Sequence, residues 1–317
     1  MKRYFNLNRF LNVFALAAFF VSVSPIVDAQ GSRKASAAQA SAKSIVVRTE
    51  PKAIVWMDEV RRGVTDEAGK LALMKVSAGR HTLRVRASGF KEAIIQIAPA
   101  RRGTVEVKLA RTTDEAELLF QQAEEARESA RDEEARKAAA DLYRRALRLR
   151  QRFAAAHLGL ARVLLELNDY NTALEEINAA RAARNVYPEA SAVEGRILRM
   201  AADTNAAIES FRRAIREARG FQPEAHTGLA IVLEDKGRYE EAAEEFRAAI
   251  LQLSDTEPVV YQLLGAVYEK LQKYKEAVQA YEKYLELAPE GTLAPAVRSV
   301  IDQLRLQAAE QDGAANP

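Results

Sequence analysis

Cysteine is absent from these 317 residues, which excludes a disulfide, a zinc–thiolate site, a cysteine nucleophile and a lipid-modified cysteine anchor. There is one tryptophan and there are three histidines, His81, His157 and His226. No further Cys or His stands beside His157 or His226 to complete a metal site, so both are expected to pack in the core, with His81 alone on a strand edge. No Gly-rich phosphate loop, HExxH or Gly-x-Ser-x-Gly occurs, and no catalytic residue, cofactor site or metal site is assigned. The chain therefore reads as a non-enzyme.

The net charge of +3 conceals an asymmetry. Residues 30–111 hold 17 Lys and Arg against 7 Asp and Glu; from 112 onward the count is 27 against 36. A basic front and an acidic back either serve different partners or attract one another.

The N-terminus has the pattern of an address. Lys2, Arg3 and Arg9 precede an apolar run from Phe10 to Val23, then Pro25 and Val27-Asp28-Ala29-Gln30. A charged start, a short apolar core and small residues before a cut site describe a signal peptide cleaved after Ala29. Export to the periplasm, cell envelope or exterior follows; the run is short for a membrane-spanning helix, and membrane contact is expected only if the segment stays uncleaved. Residues 30–43 have few large apolar side chains and read as a flexible linker.

Residues 44–110 alternate. Leu83 and Val85 share one face of a strand, with Thr82, Arg84 and Arg86 on the other; Val105, Val107 and Leu109 repeat the pattern. Runs at 45–49, 53–58, 71–77, 81–87, 92–98 and 104–109 lie between glycines and a proline, which predicts a small all-β sandwich. The turn Thr49-Glu50-Pro51-Lys52-Ala53 before Ile54-Val55-Trp56-Met57-Asp58, the Gly79-led strand to Val85 and the turn Ala87-Ser88-Gly89-Phe90 together resemble the PEGA domain family. Glu59 and Asp66 depart from it, standing where the family has Gly and Pro. The resemblance implies a non-enzymatic module of bacterial envelope proteins. Trp56 on such a strand is expected to pack in the core. If exposed beside Arg61 and Arg62, it would instead stack on a sugar or hold a cell-wall polymer.

From residue 112 an Ala-x-x-x-aromatic pair recurs: Ala139/Tyr143, Ala207/Phe211, Ala242/Phe246 and Ala277/Tyr281, with Ala173/Ile177 as the weaker member. The alanines are 34, 34, 35 and 35 residues apart, and Ala161, Gly195, Ala230 and Gly265 precede the last four by 12. Small residues at these offsets let paired helices approach, and the aromatic fills the gap to the next pair. The constellation looks like the tetratricopeptide repeat. It implies an all-α solenoid of about five hairpins over 112–291, a capping helix at 292–310 and a disordered tail at 311–317.

By the repeat pattern, first-helix positions that do not pack line a concave groove. These are Arg162, Glu166, Arg196, Arg199, Met200, Thr227, Glu234, Asp235, Gln262, Glu269 and Lys270, basic in the middle and acidic toward the end. They suit a protein or peptide ligand of complementary charge. The arginines at 144, 145, 148, 150 and 152 read as a solvated convex face, and no nucleic-acid partner is expected. Carboxylates such as Glu124, Glu176 and Glu245 read as lying on exposed helix faces. The function expected is an exported scaffold that binds protein through the groove, with the β-domain as a second contact; the alternative is a carbohydrate-binding β-domain with the array as spacer.

Overall fold

In this computed structural model, residues 43–315 are described, apart from 59, 77–80, 100, 254 and 256. The predicted signal peptide, nearly all of the linker and the Gly79-Arg80 turn lie outside the described residues.

Seven strands form the β-domain: β1 (Lys43–Arg48), β2 (Ile54–Met57), β3 (Val60–Val64), β4 (Lys70–Val76), β5 (His81–Arg86), β6 (Ala93–Ile97) and β7 (Gly103–Glu106). They make a three-stranded sheet, order β4-β1-β7, and a four-stranded sheet, order β3-β2-β5-β6. β1 is antiparallel to β4 and parallel to β7. The alternation works as expected: Ile45, Val47, Val55, Met57, Leu73, Leu83, Val85 and Val105 meet in one core between the sheets. β3 is the strand that the alternation does not reveal, because Arg61-Arg62-Gly63 breaks the apolar pattern. As an edge strand whose backbone pairs with β2 among the described residues, it needs no apolar face. Thr65 ties the first turn down, its buried hydroxyl accepting from Ala53 N (2.8 Å) and donating to Glu50 O (2.7 Å).

Two residues predicted in this domain sit elsewhere. Trp56 is not in the core: Val55 and Met57 point inward, so the pleat turns Trp56 to the opposite face. His81 is neither alone nor at an edge. It starts the internal strand β5, is 8% exposed, and its Nδ1 lies 2.6 Å from Asp58 Oδ2.

Five antiparallel helix pairs follow: α1 (Glu115–Ser129) with α2 (Glu133–Leu149), α3 (Ala154–Glu166) with α4 (Tyr170–Ala183), α5 (Pro188–Met200) with α6 (Thr204–Glu217), α7 (Pro223–Asp235) with α8 (Tyr239–Leu253), and α9 (Val259–Lys270) with α10 (Tyr274–Leu287). A last helix, α11 (Ala294–Ala315), runs beyond the predicted end at 310, so residues 311–315 are helical rather than a disordered tail. Val297, Ile301 and Leu304 of α11 pack on Ala277, Tyr281 and Tyr284 and cover the apolar end of the array.

The repeat owes its regularity to two devices. Ala139, Ala173, Ala207, Ala242 and Ala277 are all fully buried, and the aromatics fill what they leave. Phe211 is the clearest case: a Cβ on Gly195 of α5 or on Gly228 of α7 would run into its ring, so both helices lie close against it. Tyr143 meets Gly159 of the next pair in the same way, and Tyr281 meets Gly265 of its own. The second device is the turn inside each of the last four pairs. Asn168, Ala202, Gly237 and Gln272 all adopt φ between 56° and 72°. In each case the following residue donates its N–H back across the turn, from Asp169 to Leu164 O, Asp203 to Leu198 O, Arg238 to Leu233 O and Lys273 to Tyr268 O (2.8–2.9 Å). This left-handed cap stops the first helix and satisfies its last carbonyls. Asp169 and Asp203 then cap the second helix through their side chains.

Candidate functional site

The four-stranded sheet turns its outer face to the first helices of the array. Arg86 on β5 is 9% exposed; its Nε and Nη2 donate to Glu92 (3.1 and 2.9 Å) and its Nη1 to Glu124 of α1 (3.3 Å). Glu124 also accepts from the Tyr143 hydroxyl and pairs with Arg127 (3.6 Å). Burial works against the charge on Glu124, but Arg127, Arg86 and Tyr143 outweigh it and hold the carboxyl below its ordinary value. Burial likewise opposes the charge on Arg86, and Glu124 and Glu92 outweigh it. Beside this network Arg61 pairs with Glu128 (3.1 Å), while Gln121 accepts from Gly89 N (2.9 Å) and donates to Phe90 O (2.7 Å). Glu124 is thus no exposed helix carboxylate. The basic front and acidic back of the chain meet in part in these pairs.

Two cavities lie between the sheet and the helices. One, of about 380 Å³, is lined by Trp56, Arg86, Phe120, Glu124, Arg162 and Tyr187 among others. Tyr187 is buried there, and burial together with Glu189 pushes its hydroxyl up to about 12. The other, of about 450 Å³, extends along the first helices of the later pairs, α5, α7 and α9. Trp56, Val60 and Arg84 supply its sheet wall, and Arg162, Glu189, Arg196, Arg199, Thr227, Ile231 and Val260 belong to its helical wall. The guanidinium of Arg84 lies 4.2 Å from the centre of the Trp56 ring, and Arg196 pairs with Glu224 (3.0 Å).

Of the predicted groove residues, Arg162, Arg196, Arg199 and Thr227 therefore share one cavity. Glu166 is engaged by Arg136 (3.4 Å), and Met200 is exposed outside this cavity. Glu269 and Lys270 line a separate pocket against Val300 and Leu304 of α11, with Glu269 accepting from the Tyr281 hydroxyl. Glu234 and Asp235 end α7, where burial and Asp235 raise the Glu234 carboxyl and Lys270 opposes them. Gln262 lies on α9, partly buried and outside both pockets. The predicted positions are thus shared among different surroundings: Arg162, Arg196, Arg199 and Thr227 line a cavity that the sheet also walls, and Glu269 and Lys270 lie against α11. Trp56 and Arg61 face the array rather than an open surface. Arg62 donates to Met74 O (3.3 Å) within the sandwich, and burial lowers its pKa against the pull of Asp58. Arg84, Glu189 and Tyr187 are the site residues that the repeat pattern does not indicate.

His157 and His226 are not simply core packing. Each bridges its own pair: His157 Nδ1 to Glu176 Oε2 (2.6 Å) and Nε2 to Gln151 O (2.8 Å), His226 Nδ1 to Glu245 Oε2 (2.5 Å) and Nε2 to Gly220 O (3.1 Å). Among the described residues no cluster of His, Asp or Glu is arranged to hold a metal ion.

No curated protein matches the sequence. Among solved structures, Pseudomonas aeruginosa PilF aligns at 18% identity and a TM-score of 0.52, over 62% of this chain and 87% of that one. The Cut9–Hcn1 hetero-tetramer of the APC/C aligns at 17% identity and a TM-score of 0.51, over 62% of this chain and 38% of that one. TTC0263, a tetratricopeptide protein of Thermus thermophilus, aligns at 20% identity and 0.49, over 60% and 99%. At the level of sequence, the tetratricopeptide repeat family matches at 130–197, 193–258 and 258–290. These matches run on without a gap and cover α2 to α10 with their buried alanines: residues 130–290 of this chain are tetratricopeptide repeats.

Proposed function

We propose that the chain is an exported, non-catalytic scaffold that holds a protein or peptide in the groove of its helical array. The observation that carries this reading is the 450 Å³ cavity, which combines an apolar lining with several guanidinium groups. A concave, largely preformed site of that size and lining suits gripping a side chain and a charge. Export rests on the charged start, the apolar run from Phe10 to Val23 and the small residues around Ala29. The β-domain is read as PEGA-like on the residues of its first turn and of the turn at Ala87–Phe90, and as an envelope-facing module on that likeness. A glycan-binding β-domain with the array as spacer is the weaker reading, because Trp56 lines the cavity and Arg61 is held by Glu128.

A photo-crosslinking residue at Met200, beside the cavity, tests the binding role in the full chain within its native envelope. Adducts with one protein or a small set, identified by mass spectrometry and absent with the crosslinker at the convex Arg148, are expected. Equal adducts from both positions would count against a groove ligand. N-terminal sequencing of the mature chain should begin at Gln30.

A further inference from the structure

This inference rests on the groove reading and narrows it. We propose that the ligand site is built jointly by the β-domain and the array, with Trp56 as its aromatic wall, and that its occupant is an extended peptide bearing an apolar side chain beside a carboxylate.

Four observations lead there. Trp56 is left out of the sandwich core by the pleat and stands partly buried against the cavity, opposite Ile231 and Val260. An aromatic ring in that position offers a large, stiff contact at little entropic cost. The wall is fixed in place: Arg84 stacks on the ring, and the Arg86–Glu124, Arg61–Glu128 and Gln121 contacts anchor the sheet to α1. A wall so mounted is preorganised for a ligand.

The charges define the rest of the occupant. Arg162 and Arg199 line the cavity partly buried, and among the described residues neither has a carboxylate within ion-pairing distance, although the charge of Arg162 still helps to hold Glu124 ionised. Guanidinium groups in that state favour a carboxylate, which they hold through paired N–H donors. In the same cavity Glu189 Oε2 is buried without a hydrogen-bond partner among the described residues. That acceptor calls for an N–H, which a peptide backbone supplies. A peptide answers all three demands at once. An acidic glycan would satisfy the arginines and leave the Ile231 and Val260 side uncovered.

The test selects short random peptides on the full chain and reads binding of the selected sequences. Trp56 is the only tryptophan, so its emission reports occupancy directly in the wild type. Apolar–acidic pairs should be enriched among the selected peptides, and their binding should shift the Trp56 emission. By calorimetry Trp56→Ala and Arg199→Gln should each weaken binding about tenfold or more, as truncation of a central aromatic or arginine contact does. The convex variant Arg148→Gln should bind as wild type. Arg199→Gln tests the array wall alone; the shift of Trp56 emission in the wild type reads the β-domain wall, so it decides the joint site even if Trp56→Ala folds poorly. Selected peptides that bind wild type and both variants alike would overturn the joint site and leave the groove reading standing. Failure to select any peptide would overturn both. A shift of Trp56 emission by polygalacturonate but by no peptide would make the occupant a glycan and overturn the proposal.

Discussion

Replacing Gly195 by alanine should destabilise the array, although alanine is the better helix former. The added Cβ would stand 2.7 Å from Cδ1 and Cε1 of Phe211, where ordinary contact begins near 3.4 Å. The ring would have to retreat by about 0.7 Å, and Gly228 of α7 also lies close against its Cε1 and Cζ. Phe211 is fully buried, so no solvent gap takes up the movement. Overpacking of this kind costs about 1–3 kcal/mol. The gain in helix propensity from Gly to Ala is about 1 kcal/mol. The net loss in the wild type is therefore roughly 1 kcal/mol. In a Phe211→Leu background the obstruction is gone and the propensity term alone remains, so Gly195→Ala should stabilise by roughly 1 kcal/mol. Urea denaturation followed by circular dichroism gives the four corners of this cycle. Hydrogen exchange in α5–α7 guards against the uneven cooperativity of repeat arrays. An effect of the same sign in both backgrounds would refute the close packing of Phe211 against the two glycines.

Other outcomes follow from separate features. Both ring nitrogens of His157 and of His226 face acceptors, a state that only the imidazolium satisfies, and Glu176 and Glu245 with the backbone carbonyls raise both pKa values against the effect of burial. Their stabilisation is complete below the unfolded value of about 6.5 and is lost as pH rises through the raised folded values. Unfolding titrations at pH 6 and pH 8.5 should show that loss, and a His157→Gln, His226→Gln double variant should show less of it. Glu124→Ala removes the ion-pair partner of Arg127 and leaves Arg86 with Glu92 alone, and should cost on the order of 3 kcal/mol, with faster hydrogen exchange in β5 and α1; unchanged exchange there would mean that the pair does not hold the sheet. Ala202→Gly relieves a left-handed residue and should stabilise by roughly 0.5–1 kcal/mol in denaturant titrations, against the usual direction for glycine. Thr65→Val leaves the Ala53 N–H and Glu50 C=O without that hydroxyl, and thermal melting of the β-domain should show a loss of about 1–3 kcal/mol.

The array was legible because its packing depends on one small residue and one aromatic at fixed offsets, and period survives in a linear string. Half of the glycine pattern escaped notice: Gly159 and Gly228 face the preceding pair, an offset that matters only once neighbouring pairs are stacked. The sandwich was legible through period two, except β3, whose edge position removes the need for alternation. The joint between β-domain and array could not be read. Arg84 and Arg86 fall on the polar side of their strand, and polarity marks a face that avoids the core without saying whether water or Glu124 meets it. Trp56 was misplaced for a related reason: a large aromatic suggests a core, but the pleat decides the side and a second module supplied the shelter. The groove positions came from the repeat alone, which cannot reveal that another domain walls part of the cavity.

The parallel pairing of β1 with β7 has a mechanical consequence. The described chain enters the sandwich at β1, with Ile45 opposite Gly103 and Arg48 opposite Glu106, and after β7 stays bonded to it through Ala110 O to Lys91 N and Thr112 N to Gly89 O before α1 begins. Once those outer bonds yield, tension between the two ends would pull β1 and β7 lengthwise past each other, so that their cross-links share the load and break together instead of one after another. A chain held at its front end and tugged by a captured protein would thus resist as a clasp does, and optical-trap pulling between those ends should register one abrupt rupture of the sandwich.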